Sequence, residues 1–167
     1  MKYPLTCMRN RRGTSALQRV LFGTIFSACL AFLPQPALAA KCSFQSVAGV
    51  NFGAYDVFSP NPNNNGVGSL IIACNGGGSN RFNVALNAGQ SHSHVSRVMR
   101  SGANTLIYDL FTDSACTVIW GDGTGGSSMM TVTRNSTTTL YIYGEIPAGQ
   151  DVAAGIYTDN IIATVTF

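Results

Sequence analysis

Four stretches of this chain carry the same alternation. Leu70, Ile72 and Cys74 are spaced two apart, and so are Phe82, Val84 and Leu86, and then Leu106, Tyr108 and Leu110. At the end come Ile161, Ala163, Val165 and Phe167. A period of two places such side chains on one face of a β-strand. Between these runs lie breaks rich in glycine and asparagine, at residues 61–66 (NPNNNG), 75–79 (NGGGS) and 121–128 (GDGTGGSS). Their residue types favour turns through positive φ and side-chain-to-backbone hydrogen bonds. Further strands are expected at residues 44–52, broken at Ala48-Gly49, and at 117–120, 130–133 and 139–145. No segment sustains a helical period. Short strands separated in this way predict an all-β, antiparallel sandwich.

The final stretch sharpens that expectation. Residues 160–167 remain in strand pattern to the last position, with Ile162, Thr164 and Thr166 opposite the apolar face. In a sandwich an apolar strand face is covered by its neighbours, and no later segment follows to cover this one. The sequence therefore predicts a sandwich one strand short.

The first part of the chain has a different character. Lys2, Arg9, Arg11, Arg12 and Arg19 are five of the ten basic residues, and no acidic residue precedes Asp56. An apolar run of about 14 residues follows at 20–33, short of the roughly 20 needed to span a bilayer. Pro34 and Pro36 end it, and Ala37-Leu38-Ala39 has the small-x-small form of a cleavage site. Residues 1–39 read as a signal peptide, cleaved after Ala39 or Ala40 to leave Ala40 or Lys41 first, with one domain at 40–167. A lipoprotein reading through Cys29 is weaker, because Phe26 stands where Leu is preferred. Without the leader, five basic residues face seven acidic ones, a net of −2. The basic balance thus belongs to export and gives no nucleic-acid footprint. No stable membrane span is expected after cleavage.

Three cysteines remain: Cys42, Cys74 and Cys116. Export leads to an oxidising compartment where disulfides persist, and an odd count leaves one thiol over. Cys42 and Cys74 each end a predicted strand, so that pair is expected to bond. Cys116 then sits free in a turn.

Few residues offer chemistry. Ser91-His92-Ser93-His94 holds the two histidines, and no carboxylate or cysteine is close in sequence, so a solvated loop is the simpler reading. Asp122 in its glycine-rich loop is far from a calcium loop. No G-x-S-x-G elbow and no Walker sequence occurs. Asn135-Ser136-Thr137 is a sequon that carries little weight in a bacterial-type product. Met129, Met130, Tyr141 and Tyr143 are candidates for an exposed adhesive surface or for core packing. Tyr157 is a candidate to anchor the corner before the last strand through its hydroxyl. No catalytic, metal or cofactor site is expected, and the chain is not read as an enzyme.

A series of short words runs from Cys42 to the end: Phe52-Gly53-x-Tyr55, Gly68-x-Leu70-Ile71-Ile72-x-Cys74, and Val84-x-Leu86-x-x-Gly89. Arg97-x-Met99, Leu106-Ile107-Tyr108-x-Leu110 and Trp120-Gly121-Asp122-Gly123 follow. Tyr143-Gly144-x-Ile146-Pro147-Ala148-Gly149-Gln150 and Gly155-x-Tyr157-x-Asp159 complete it. In this order and spacing the chain resembles the spore coat protein U domain family, which includes subunits of archaic chaperone–usher pili. The resemblance implies an incomplete immunoglobulin-like sandwich lacking its last strand. It implies that a periplasmic chaperone lends a strand, which an outer-membrane usher exchanges for one from a neighbouring pilus subunit. Ile161, Ala163, Val165 and Phe167 would then face the groove that the donor fills.

The expected role is a structural subunit of an exported pilus or surface coat, in adhesion or biofilm formation. Only Ala40-Lys41 would precede Cys42 after cleavage, too short to serve as a donor strand, so the subunit is expected at a fibre tip. Two other readings remain: a secreted coat or matrix protein whose groove is filled by its own residues, and a tip adhesin for a surface ligand.

Overall fold

The computed structural model describes residues 41–75, 80–134 and 136–167. The expected signal peptide, its cleavage site at Ala39 and Ala40, most of the NGGGS turn and Asn135 of the sequon lie outside the described residues. Eight strands follow in order: β1 Lys41–Asn51, β2 Asn63–Asn75, β3 Asn80–Leu86, β4 Arg97–Ser101, β5 Asn104–Phe111, β6 Met130–Arg134, β7 Thr138–Ile146 and β8 Ala163–Thr166. One sheet has the order β1-β2-β7-β5-β4 and the other the order β6-β3-β8. Every strand pair is antiparallel. A one-turn 3-10 segment, Gly89–Ser91, is the sole helical element among the described residues. None of them forms a helix long and apolar enough to cross a membrane.

The alternating runs supply the two inner faces. Leu70, Ile72 and Cys74 of β2, Leu106, Tyr108 and Leu110 of β5, and Leu140, Ile142 and Ile146 of β7 are buried from the larger sheet. Phe82, Val84 and Leu86 of β3 and Val132 of β6 meet them from the smaller one. Burying side chains of this size stabilises by about 1.5–3 kcal/mol each. Trp120 is fully buried between these layers, and its indole N–H donates to the Val84 carbonyl at 2.9 Å. That bond removes the cost of burying an indole nitrogen unpaired.

Several expectations are corrected. Residues 61–66 are not simply a turn, because β2 already begins at Asn63 and pairs there with Ile146, with a bulge before Gly66. The run at 117–120 forms no strand; isolated bridges join Ile119 to Phe111 and Trp120 to Ser128. β4 carries no strand signal in the sequence. Its five residues are too few to display a period, and only two of them, Arg97 and Met99, are buried, one of these being a charged residue. The last strand is shorter than its pattern, Ala163–Thr166, so Phe167 lies beyond it.

Arg97 is buried to 0% exposure. Its guanidinium donates to the carbonyls of Asn87 (3.1 and 3.2 Å), His94 (2.9 Å) and Trp120 (2.6 Å). Irregular backbone cannot satisfy its own carbonyls as a ladder does. A planar five-donor fork can serve several at once from one side chain. The cation thereby ties the 87–94 loop to the segment around Trp120.

Cys42 and Cys74 are cross-strand partners at the end of the β1–β2 ladder and form a disulfide, while Cys116 is a free, half-buried thiol. Two predictions follow from these ties, both read by urea unfolding with the fluorescence of Trp120 as probe. Replacing both bonded cysteines by serine removes a cross-link spanning a sequence separation of 32 residues. It is expected to destabilise by about 3–4 kcal/mol on the chain-entropy account. Arg97→Met leaves three backbone carbonyls without their donor and is expected to cost at least about 3 kcal/mol. Arg97→Lys should recover only part of this, since an ammonium donates from a single point. A cost below about 1 kcal/mol for Arg97→Met would contradict the role given to the fork.

Candidate functional site

β1 lies at one end of the larger sheet's strand order and β8 at one end of the smaller sheet's. Among the described residues β1 pairs only with β2, and β8 only with β3. A cleft of about 490 Å³ opens between β1 and residues 157–163, which lead into β8. Phe44, Val47 and Val50 line it on the β1 side, Ile161 and Ala163 on the other, over a buried apolar floor that includes Leu70, Leu86 and Leu110. Phe44 and Val47 remain 37% and 62% exposed. A second cleft of about 630 Å³ continues between the loop after β1, to Phe58, and residues 152–157.

β1 itself departs from a regular ladder. Its register with β2 shifts between Phe44 and Ser46 and again between Ala48 and Asn51. Such bulges bend a strand and increase its twist. The second falls at the expected Ala48-Gly49 break, within the part of β1 that borders the cleft.

The opposite wall is fastened from behind. Arg100 and Thr158 exchange backbone hydrogen bonds at 2.9 and 3.0 Å, linking the wall to β4. Asn87 donates its N–H to the Ile162 carbonyl (3.0 Å), and its Oδ1 accepts the Ile162 N–H (2.9 Å). The Tyr108 hydroxyl donates to Asp159 Oδ2 at 2.7 Å, and Asp159 Oδ1 accepts the Gln90 N–H at 3.1 Å. Gln90 Nε2 donates in turn to the Thr158 carbonyl at 3.1 Å. These ties hold the wall against β4, β5 and the 87–90 loop, so the cleft is not closed by its own flanking segment.

A second clamp lies at the end of the larger cleft. The Tyr55 hydroxyl donates to the Pro147 carbonyl (2.9 Å) and accepts the Gln150 N–H (3.0 Å). The Gln150 side-chain amide pairs with both backbone groups of Ile107, at 2.7 and 2.9 Å. Gly149, at φ +74°, makes the turn that allows this.

The four residues expected to face a groove are placed differently from one another. Ile161 and Ala163 line the cleft. Val165 packs on the core. Phe167 is 63% exposed, with its ring tilted against Phe82 at 6.4 Å between centroids. The Tyr157 hydroxyl donates to the Ala153 carbonyl at 2.8 Å, holding the corner within its own loop. Met129 and Tyr141 are exposed, whereas Tyr143 is half-buried and Met130 packs on the core.

His94 Nδ1 stands 3.5 Å from Asp122 Oδ1, a pairing across 28 positions that local spacing could not reveal. The N–H and hydroxyl of Thr124 donate to Asp122 Oδ1 and hold its carboxyl below the usual range. No group of three or more His, Cys, Asp or Glu side chains placed to hold a metal occurs among the described residues. Cys116 has φ 54°, and burial pushes its thiol pKa up, away from nucleophilic character.

Tyr108 joins the core to the wall and makes the tie testable. Burial, and then the hydrogen bond to Asp159, raise its phenol above the ordinary value near 10. A folded-state pKa raised above the unfolded one gives stability that is complete below about pH 10 and lost as pH rises further. Tyr108→Phe is therefore expected to flatten the alkaline limb of the stability–pH curve above about pH 10. At neutral pH it should cost about 1.5–3 kcal/mol, the range for a hydrogen bond to a charged group. An unchanged alkaline limb in urea titrations between pH 8 and 11 would contradict this.

Comparison with known proteins places this geometry. A sequence model of the Spore Coat Protein U domain matches residues 28–164. "Protein U" of Myxococcus xanthus is 32% identical over 143 residues, covering 78% of this chain and 79% of that protein. Among solved structures, one chain of the CsuC-CsuE chaperone-tip adhesion subunit pre-assembly complex from archaic chaperone-usher Csu pili of Acinetobacter baumannii is similar over 77% of this chain. The TM-score is 0.50 and the identity 23%, and the similarity spans 40% of that chain's length. At that identity the likeness is one of fold, the incomplete immunoglobulin-like antiparallel sandwich. From the family match across most of its length and the identity it shares with a relative of similar extent, the chain belongs to the Spore Coat Protein U domain family.

Proposed function

We propose that this chain is a non-enzymatic structural subunit of a chaperone–usher pilus or surface coat, and that it accepts a β-strand from another polypeptide into the cleft beside β1. The observation that carries this reading is the cleft itself. Its floor is apolar, and β1 and β8, which border it, each pair on one side only among the described residues. An unpaired edge offers backbone N–H and C=O groups to an added strand. The floor offers room to alternate side chains of that strand, which is the chemistry of β-augmentation. Burying four or five apolar donor side chains adds about 1.5–3 kcal/mol for each.

The donor is first a periplasmic chaperone and then a neighbouring subunit, exchanged at an outer-membrane usher. The similarity to a chain of a chaperone-tip adhesion subunit complex from chaperone-usher pili supports this choice over other uses of an open edge. Export by the amino-terminal segment agrees with it. β1 already takes Lys41 into pairing with Asn75. After cleavage behind Ala39 this leaves no segment to give away, which favours a place at the end of a fibre.

Produced in the periplasm without a partner, the processed chain is expected to aggregate or oligomerise. With its chaperone it is expected to purify as a one-to-one complex. A soluble monomer whose own residues fill the cleft would overturn the proposal. Immunogold labelling of assembled fibres is expected at one end, and labelling along the shaft would remove the terminal placement.

A further inference from the structure

The inner face of the larger sheet is not apolar throughout. Along β2 the inward positions run Cys74, Ile72, Leu70 and then Gly68 and Gly66. Along β7 they run Leu140, Ile142, Gly144 and Ile146. Gly66 and Gly144 are cross-strand partners, and Gly68 is paired with Ile142. The three glycines thus leave a shallow depression at one end of a face otherwise covered by large side chains. None of the three has the positive φ that only glycine adopts easily, so their role here is space.

The depression is occupied by β1 and the residue after it. A Cβ at Gly144 would lie 2.6 Å from Phe52 Cε1 and Cζ and 3.0 Å from Val50 Cγ1. One at Gly66 would lie 2.5 Å from Phe52 Cε1 and 2.9 Å from Val50 Cγ1, and one at Gly68 2.8 Å from the Ala48 carbonyl oxygen and 2.9 Å from Val50 Cγ2. Phe52 is held on its other side by the Tyr108 ring, edge-on at 5.7 Å between centroids. Its carbonyl accepts the Asn63 side-chain amide at 3.1 Å.

Phe52 and Val50 also have a place in the cleft. They and two other residues, Met99 and Tyr157, line both the 490 Å³ and the 630 Å³ openings. These four frame the neck between the two. A strand running the length of the groove has to pass there.

We propose that Gly66, Gly68 and Gly144 are positioning residues for strand acceptance. They let Phe52 and Val50 sink into the sheet, and so keep the neck wide enough for one continuous donor strand. A side chain at Gly144 pushes the Phe52 ring away from the sheet and into the neck, dividing the groove into two short pockets. The inference rests on the strand-accepting role proposed above and names the feature of this chain that sets the groove's continuity.

The test uses the oxidised, processed protein refolded from urea with a fluorescently labelled peptide. The peptide is an alternating Val-Thr strand of about ten residues with a lysine at each end. Capture is read by anisotropy and folding by Trp120 fluorescence. Wild type is expected to retain the peptide; if it does not, the strand-accepting role itself fails. Given wild-type capture, Gly144→Ala is expected to weaken binding by about tenfold or more. Adding Phe52→Leu in the same chain is expected to return binding to within about threefold of wild type, the coupling expected of side chains in contact. Equal capture by wild type and Gly144→Ala overturns the inference. So does a Gly144→Ala, Phe52→Leu double variant that remains unfolded or unable to bind. A general need for glycine at this point in β7 would not be relieved by trimming Phe52.

Discussion

The apolar core of this domain ends at an open cleft, and a hydrophobic effect left to itself would collapse the walls onto the floor. Polar ties placed at the walls' backs and ends oppose that. Asp159 and Thr158 are held toward β5, β4 and the 87–90 loop, and Tyr55 and Gln150 hold the end of the larger opening. Most of these ties satisfy backbone groups of irregular segments that no ladder could satisfy, and the bond from Tyr108 to Asp159 joins two side chains. The rigidity of the cleft and the satisfaction of the loops are therefore the same set of bonds.

This explains how a chain with so few charged residues distributes them. Most of the sandwich needs none, because its backbone is paired in ladders and its inner faces are aliphatic or aromatic. Arg97 and Asp159 stand where the chain leaves a ladder and turns. At such places a charge-assisted hydrogen bond is worth more than a neutral one, and a buried carbonyl left orphaned carries its full desolvation cost. Arg97 carries three such carbonyls alone, so its burial is compensated without an ion pair at hydrogen-bond distance.

The fold was legible wherever burial follows a period of two. Phe82, Val84 and Leu86, and likewise Leu106, Tyr108 and Leu110, are inward as their spacing implies, and the pairing of Cys42 with Cys74 follows from two strand ends. β4 and the true start of β2 were not legible. One is too short for a period, and the other begins among asparagines whose local preference for turns is overridden by pairing with β7. The cleft was visible only as the apolar face of the 161–167 stretch, for which the sequence offered no evident cover. Its ties, Tyr108 with Asp159 and Tyr55 with Gln150, were invisible because each joins residues far apart in sequence, and the same holds for Arg97 with Trp120 in the core. The short family words contain every one of these residues, so the words mark ends of tertiary bonds more than local structure.

Glycine shows the same lesson most sharply. In a sequence of turns and strands, glycine first suggests punctuation, and Gly149 and Gly123, with positive φ, are used that way. Gly66, Gly68 and Gly144 are spaced like the buried leucines and isoleucines beside them and occupy the same inward face. A glycine in register with a core stripe marks a place where another part of the chain must come close. Here that part is Phe52, drawn down by the missing side chains while the bulge in β1 frees it from a flat ladder. The shape of the groove thus depends as much on the side chains that β2 and β7 lack as on those that line it.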